Sequence, residues 1–254
     1  MLKNAIARTP GRDFAQGITT SGLGAPDITF ARSQHEKYIQ TLMSLGLKVE
    51  VLPPLEGCPD AVFVEDTALV VPEAAVITHP GAKSRQGETA TIGEALKKYK
   101  PVEYITASGA TIDGGDVMLI DHTFYVGMSG RTNKAGMDAL ISALAPYGSY
   151  EAVAVPVPCG LHLKSFVTQI TSDTIIVSEE LYGHPAFARY NKVKINKKDE
   201  YSINTIMING KLLMAEGYPE TERLVREVGC EPVLLNMSEY RKMDGALTCL
   251  SLRF

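Results

Sequence analysis

The hydrophobic positions of this chain form short apolar runs that occur in pairs, with a short polar turn between the two members of each pair. Paired runs of this length predict β-hairpins. Four such pairs occupy residues 67–81, 116–130, 166–180 and 204–217. The apolar segments at the two chain ends, LKNAIART and LTCLSLRF, predict a fifth pair that joins the C-terminus to the N-terminus.

Segments with helical periodicity lie between these hairpins, and each leads into a further strand. The helical segments are 33–46, 89–99, 133–147 and 220–229. The strands that follow them read KVEVLPP, VEYITA, EAVAVPVP and EPVLLN. The repeating unit is therefore strand, strand, helix, strand, taken about five times. Its fourth copy is the weakest, because PAFARYNKVKIN carries little helical pattern.

A ring of such units, closed by the two chain ends, leaves no long free sheet edge that would invite aggregation. A repeat that closes on itself is one folding unit even though the chain is longer than an average domain. We therefore expect an α/β protein with a single domain over residues 1–254.

A polar residue recurs just before each predicted hairpin, at intervals of 42 to 49 residues. If each interval is one unit of the ring, the same point of every unit faces a common axis. A thiol, an imidazole and carboxylates then meet there, which is the composition of a nucleophilic active site. The residues in this register are Asp66, Asp113, His162, Asn204 and Cys249.

Composition and charge narrow the class of protein. The chain is 45% hydrophobic with a formal net charge of −4, and its largest basic cluster is KINKK at 194–198, so a nucleic-acid or acidic-lipid partner is not expected. No apolar run approaches the roughly 20 residues of a transmembrane helix, and the N-terminal residues lack a signal-peptide core. The sequence predicts a soluble, cytoplasmic protein.

The four cysteines, Cys58, Cys159, Cys230 and Cys249, form no CxxC pair, which favours free thiols in a reducing compartment. A free cysteine is most often a buried core residue, and this interpretation applies to Cys249 in isolation. Its place in the repeat register favours a functional role instead.

Two further candidates lie in loops that precede strands. His162 lies in PCGLHLKSF and Asp113 in TIDGGDVML. A lone histidine is often structural, and a GG turn between acids is common. The two glycines would allow the backbone to pass close to a bulky group.

Acids and arginines extend the candidate site. Asp60, Glu65 and Asp66 lie around the apolar VFV of PDAVFVEDT, and an inward carboxylate there needs a cation or hydrogen bonds. Arg85 and Arg131 each follow the second strand of a hairpin. Arginine binds carboxylates through two parallel hydrogen bonds. Together these residues describe a ligand with a carboxylate at one end and a cation at the other.

Seven segments in this order resemble dimethylarginine dimethylaminohydrolases of the guanidine-modifying, or pentein, superfamily. They are PDAVFVEDT, SRQGET, IDGGDVML, FYVGMSGRTN, GLHLKSF, SEYRKMDG and LTCLSLRF. The resemblance implies a five-bladed α/β propeller of ββαβ units with a central active-site channel. It also implies hydrolysis of Nω-methylated arginines to citrulline and a methylamine, with no metal and no organic cofactor.

Carried over by motif, the resemblance makes Cys249 the nucleophile, His162 the general acid and base, and Asp113 the acid of the triad. It implies that Asp66, with Glu65 beside it, holds the guanidinium, that Asp60 binds the amino group, and that Arg85 and Arg131 bind the carboxylate. Ile18, Met243 and the adjacent Asp244 are the remaining implied substrate contacts. Leucine is usual near the first of these positions and isoleucine or valine at the second.

Two alternatives remain open from the sequence. A related guanidino hydrolase, similar to an arginine deiminase, would share the triad and differ around the substrate methyl groups and in the segment 16–27, whose glycines and proline permit hinge motion. A catalytically silent binding or scaffold protein would keep the fold, but it would not need the thiol. The expected partner is a small guanidino amino acid, with no nucleic acid or membrane, and a homodimer stays open.

Overall fold

The computed structural model describes residues 1–157 and 161–254. Within them, the strands are β1 Asn4–Arg8, β2 Lys48–Leu52, β3 Ala68–Val70, β4 Ala75–Ile77, β5 Val102–Tyr104, β6 Val117–Ile120, β7 Thr123–Met128, β8 Glu151–Pro156, β9 Val167–Gln169, β10 Thr174–Ser178, β11 Asn191–Ile195, β12 Ile206–Ile208, β13 Lys211–Ala215, β14 Pro232–Leu235 and β15 Ser251–Arg253. The α-helices are α1 Ile28–Ser44, α2 Thr89–Leu96, α3 Lys134–Leu144, α4 Pro219–Glu227 and α5 Ser238–Arg241.

The described strands form five sheets of three strands each. In every sheet the first two strands are antiparallel and the third is parallel to the second, as the repeating unit predicts. In one of them, Ile176 of β10 pairs with Thr168 of β9 on one side and Val193 of β11 on the other. The orders are β15-β1-β2, β3-β4-β5, β6-β7-β8, β9-β10-β11 and β12-β13-β14.

The chain ends close the ring. Strand β15 pairs antiparallel with β1, so that Leu252 lies opposite Ile6 and Ser251 opposite Ala7. Strand β2 then continues this sheet in parallel with β1. The predicted fifth pair and the five-bladed α/β propeller are both confirmed, and this closure carries Cys249 back to the N-terminal sheet.

The helices follow the prediction, with two informative differences. Helix α1 begins at Ile28, five residues before the predicted start, because the Asp27 carboxylate caps the backbone N–H groups of Thr29 and Phe30. The fourth unit contains only a short 3₁₀ turn at Pro185–Phe187 before its third strand, in agreement with its weak helical pattern. None of the helices in the described part of the chain has both the length and the apolar character needed to cross a membrane.

Apolar side chains pack between neighbouring blades and under the helices. In one such cluster, Val76 of β4, Phe124 of β7 and Leu140 of α3 are all buried. The polar register residues are left on the inner ends of the blades, where a 3₁₀ turn precedes the first strand of each sheet. These turns are Val64–Thr67, Gly114–Asp116, Leu163–Ser165, Lys197–Ile203 and Thr248–Leu250, and turns from neighbouring blades contact one another.

Candidate active site

One cavity at the inner ends of the blades collects side chains that are distant in sequence. The free space within it is about 20 Å³, enough for about one water molecule. In this conformation the free space is therefore smaller than a substrate the size of an amino acid. The lining residues are Ile18, Asp60, Phe63, Asp66, Arg85, Arg131, Leu161, His162, Met243, Asp244, Gly245 and Cys249.

His162 and Asp113 form a buried pair behind this cavity. His162 Nε2 lies 3.1 Å from Asp113 Oδ2, and the other carboxylate oxygen of Asp113 accepts a hydrogen bond from the backbone N–H of Gly81 at 2.9 Å. Asp113 is completely buried and so does not line the cavity itself. Its carboxylate therefore fixes the imidazole ring without touching a ligand, which is how the acid of a triad works.

The second carboxylate near the imidazole belongs to Asp66. Its Oδ1 lies 3.8 Å from His162 Nδ1 and accepts a hydrogen bond from the backbone N–H of Gly115 at 2.9 Å. Its Oδ2 accepts a hydrogen bond from Arg85 Nη1. Asp66, Asp113 and His162 each have a possible metal-ligand atom, and these atoms lie within 4.8 Å of one another. Among the described residues, this is the group whose spacing could hold a metal ion. The carboxylate oxygens and His162 Nε2 are already hydrogen-bonded within the protein, whereas His162 Nδ1 lies 3.8 Å from Asp66 Oδ1, beyond hydrogen-bond distance.

Both glycines of the DGG turn are required by close packing. A Cβ on Gly114 would lie 1.9 Å from the backbone oxygen of Glu65. A Cβ on Gly115 would lie 2.5 Å from His162 Nδ1 and 2.8 Å from Asp66 Oδ1. The turn can therefore approach the imidazole only because these positions carry no side chain.

The carboxylates set the charge state of the imidazole. Burial favours the neutral ring, but the charge of Asp66, the hydrogen bond to Asp113 and the charge of Asp116 outweigh it and raise the pKa of His162 to about 9. Burial would raise the pKa of Asp66, but His162 and Arg85 hold it at about 2. At neutral pH the site therefore contains an imidazolium, which can act as a proton donor.

Cys249 lies on the 3₁₀ turn Thr248–Leu250 and is partly accessible from the cavity. Burial, followed by the charges of Glu65 and Asp66, raises the pKa of its thiol to about 12. The free protein therefore holds a neutral thiol at neutral pH. A cation bound beside Asp66 would offset this negative potential and favour the thiolate.

The two arginines differ in a way that the sequence did not indicate. The Arg85 guanidinium is buried and donates to Asp66, to both oxygens of Glu88 and to the backbone oxygens of Asp60 and Phe63. Arg131 is half-buried, and its guanidinium has no hydrogen-bond or ion-pair partner within residues 1–157 and 161–254. Arg131 is thus the cation that is free to bind an incoming carboxylate.

A segment near the N-terminus covers the cavity. Asp60 accepts hydrogen bonds from the backbone N–H of Ile18 at 3.1 Å through both carboxylate oxygens. Asp244, which has a positive φ of 54°, accepts hydrogen bonds from the backbone N–H and the hydroxyl of Thr20. Met243 is buried, and a Cβ on Gly17 of this segment would lie 3.2 Å from its Cε. These contacts fix the segment over the cavity.

Glu65 does not reach the cavity, although it is adjacent to Asp66. Its Oε1 pairs with Lys164 Nζ at 2.7 Å and with Arg253 Nη2 at 2.9 Å. With these two cations it lines a second cavity of about 170 Å³ on the other side of the turn. Its implied role beside the guanidinium is therefore limited to an electrostatic effect across the turn.

Sequence reasoning missed two buried residues that support the site. Glu88, in the segment SRQGET, forms an ion pair with Arg85. Burial raises the pKa of Glu88 to about 7, because the opposing charge of Arg85 is shared with Asp66. The Asn204 amide bonds both the N–H and the hydroxyl of Thr248, next to Cys249. Asn204 was in the polar register, so its position was indicated but its role was not.

The remaining cysteines agree with the prediction of free thiols where they are described. Cys58 and Cys230 are unpaired, like Cys249. Cys159 lies outside the described residues, so its predicted state stays a prediction.

Comparison with known proteins gives consistent matches. Residues 27–206 match the model of a family described as N,N dimethylarginine dimethylhydrolase, eukaryotic. The chain is 39% identical to N(G),N(G)-dimethylarginine dimethylaminohydrolase from Pseudomonas aeruginosa, over 100% of both chains. It is also 39% identical to the Streptomyces coelicolor protein of the same name, over 99% of this chain and 96% of that one.

A solved structure agrees with these sequence matches. It is the C249S mutant of the Pseudomonas aeruginosa enzyme complexed with citrulline. The two structures superpose with a TM-score of 0.96 at 38% identity, and the match covers 100% of both chains. The similarity therefore includes every blade and all the turns that carry the site.

Proposed function

The chain belongs to the dimethylarginine dimethylaminohydrolase family, and from this premise we propose that it hydrolyses Nω-methylated L-arginines to L-citrulline and methylamines. One observation carries the proposal. Within the described residues, a thiol, an imidazolium, a buried carboxylate and a guanidinium without a hydrogen-bond or ion-pair partner line a single cavity, in the fold of a relative whose structure contains citrulline.

The charges of the cavity orient the substrate. The α-carboxylate binds Arg131, whose guanidinium is without a protein partner among the described residues. The substrate's guanidinium lies against Asp66, which Arg85 and Gly115 hold in a fixed orientation. The amino group is bound by Asp60, whose carboxylate is fixed by the N–H of Ile18. The substrate's cationic carbon is thereby placed over Cys249.

The first half of the reaction forms a covalent intermediate. Binding of the cation lowers the pKa of the Cys249 thiol, its proton leaves to solvent, and the thiolate attacks the guanidinium carbon. Addition of an anion to a cation gives a neutral tetrahedral species. His162 donates its Nδ1 proton to the methylated nitrogen, the C–N bond breaks, and the amine leaves a cationic thiouronium on Cys249.

The second half regenerates the thiolate. His162 is now neutral, and it accepts a proton from a water molecule that attacks the thiouronium carbon. The C–S bond breaks, and loss of a proton from the product gives neutral citrulline. Asp113 keeps the ring in place in both steps through its hydrogen bond to Nε2.

The test measures citrulline colorimetrically with asymmetric dimethylarginine, monomethylarginine and arginine in parallel. We expect turnover of the methylated substrates, loss of turnover in Cys249→Ser, and no change in the matched control Cys58→Ser. Turnover of arginine alone would replace the proposal with an arginine deiminase-like activity. Ligand binding without citrulline from any of the three would replace it with a silent binding protein.

A further inference from the structure

Asp116 is a fully buried carboxylate that has no part in the reaction described above. It ends the turn that begins with the catalytic Asp113, and its two oxygens bond in different directions. Oδ1 accepts a hydrogen bond from the backbone N–H of Leu163 at 2.9 Å, directly after His162. Oδ2 accepts a hydrogen bond from the hydroxyl of Ser129 at 2.6 Å.

The Ser129 hydroxyl extends this bond to the carboxylate-binding arginine. A serine hydroxyl has one proton, and here it is donated to Asp116. The oxygen is then left to accept from the backbone N–H groups of Arg131 at 3.0 Å and Thr132 at 3.2 Å. The turn that carries Arg131 is therefore held in part by a hydroxyl whose orientation Asp116 determines, and the Thr132 side chain of the same turn also bonds Asp116.

Burying a carboxylate is costly, and stability alone gives little reason to retain one. A preorganised site, by contrast, needs its functional groups held by a rigid surrounding network. A Cβ on Gly127 would lie 2.7 Å from Asp116 Oδ1 and 2.8 Å from Leu163 Cβ, so neighbouring strand β7 is also shaped to fit this contact.

We propose that Asp116 is a positioning residue that holds the proton donor His162 and the carboxylate-binding Arg131 in register with each other. The inference rests on the proposed function, because both residues act on the same substrate molecule. Asp116 touches neither substrate nor reacting atoms, and it acts through Leu163 on one side and Ser129 on the other.

Asp116 is linked to Arg131 through Ser129, here called the Arg131 arm, and to His162 through Leu163, here called the His162 arm. The two arms can be separated by substitution. Ser129→Ala removes only the Arg131 arm, and Ser129→Thr restores the hydroxyl. Asp116→Asn keeps an oxygen for the N–H of Leu163, but its NH₂ group faces the Ser129 oxygen and competes with the N–H groups of Arg131 and Thr132. Asp116→Asn also removes one of the three carboxylates that face His162, the others being Asp66 and Asp113.

The kinetic test uses dimethylarginine and its decarboxylated analogue, a methylated agmatine. Ser129→Ala removes three hydrogen bonds of the hydroxyl, and we expect it to raise KM for dimethylarginine at least about 2- to 12-fold, the effect of a single one of them, with little change in kcat. The analogue lacks the carboxylate, so its kcat/KM should stay at the wild-type value. Ser129→Thr should restore the wild-type KM, and the exposed Asp138→Asn should change nothing.

The His162 arm is tested by the pH dependence of kcat. The charged and titratable groups around His162 are Asp66, Asp113, Asp116 and, across the cavity, Cys249 and Arg85. Because the charge of Asp116 favours the imidazolium, we expect Asp116→Asn to lower the pKa of His162 and to shift the basic limb of kcat to lower pH. NMR titration of His162 in a Cys249→Ser background should show the same shift without turnover. If the wild-type protein makes no citrulline, the proposed function is wrong. The NMR titration of His162 does not need turnover, so it would still test the role of Asp116.

Two outcomes would overturn the proposal. Wild-type discrimination between the two substrates in Ser129→Ala would show that Arg131 is not held through Ser129. An unshifted His162 titration in folded Asp116→Asn, with only a loss of stability, would reduce Asp116 to a structural residue. If Asp116→Asn does not fold, the Ser129 pair still decides the Arg131 arm.

Discussion

Replacing Arg131 with alanine should weaken recognition of the substrate carboxylate without affecting the stability of the fold, whereas Arg85→Ala should affect both. The two arginines occupy equivalent places in the sequence repeat, but the structure gives them different surroundings. The Arg131 guanidinium has no hydrogen-bond or ion-pair partner among the described residues, whereas that of Arg85 is bonded to Asp66, Glu88 and two backbone oxygens.

The magnitudes follow from those surroundings. Truncating one partner of a desolvated charge pair costs about 2–5 kcal/mol, and because Arg131 is half-buried the lower part of this range applies. We therefore expect Arg131→Ala to lower kcat/KM for dimethylarginine roughly 30- to 150-fold. Arg85→Ala leaves two buried carboxylates without their cation, which costs about 3–5 kcal/mol of folding free energy. For a domain of this size that corresponds to a fall in Tm of roughly 6–20 °C.

The assay pairs kinetics with unfolding. For each variant, kcat/KM is measured with dimethylarginine and with methylated agmatine, and Tm is measured by calorimetry, with the exposed Arg12→Ala as the matched control. Arg131→Ala should handle the analogue as wild type does and unfold at the wild-type Tm. If it still discriminates between the two substrates as wild type does, Arg131 does not bind the carboxylate. If Arg85→Ala is as stable as Arg131→Ala, the buried network around Arg85 is not structural.

Four further predictions concern the buried groups. Cys249→Ser should bind dimethylarginine without turnover, because a serine hydroxyl lacks the nucleophilicity of the thiolate, and citrulline formation near the wild-type rate would remove Cys249 from the mechanism. The pKa of His162 is raised from 6.5 to about 9 in the folded protein, so its contribution to stability is complete below pH 6.5 and is lost as pH rises through 9. Urea unfolding of wild type and His162→Gly should therefore converge across that range, and parallel curves would argue against a charged His162. Glu88→Ala should lower the free energy of unfolding more than Glu88→Gln, which can still accept from Arg85; equal losses would mean that this hydrogen bond is unimportant. Gly115→Ala should abolish citrulline formation because its Cβ would lie 2.5 Å from His162 Nδ1, and near-normal turnover would show that the turn can move.

Much of the architecture could be predicted from the sequence because it is encoded locally. Strand pairs, helices and turns follow from hydrophobic periodicity within about 15 residues, and five similar units leave few ways to bury all their apolar faces. The repeat register also placed Asp66, Asp113, His162 and Cys249 near one axis. The missed start of α1 was likewise a local signal, since Asp27 caps the helix.

Only the tertiary structure decided which way the side chains of the inner turns point. Glu65 and Asp66 are neighbours in sequence, yet Glu65 pairs with Lys164 and Arg253 behind the turn while Asp66 faces the cavity. The partners that select these directions come from other blades: the N–H of Gly115 that bonds Asp66 is 49 residues away. Spacing along the chain brings turns together, but charge pairing and the cost of an unpaired buried group determine which atoms meet. This is why the sequence treated Arg85 and Arg131 as equivalent, and why Glu88 and Asp116 became visible only in the folded protein.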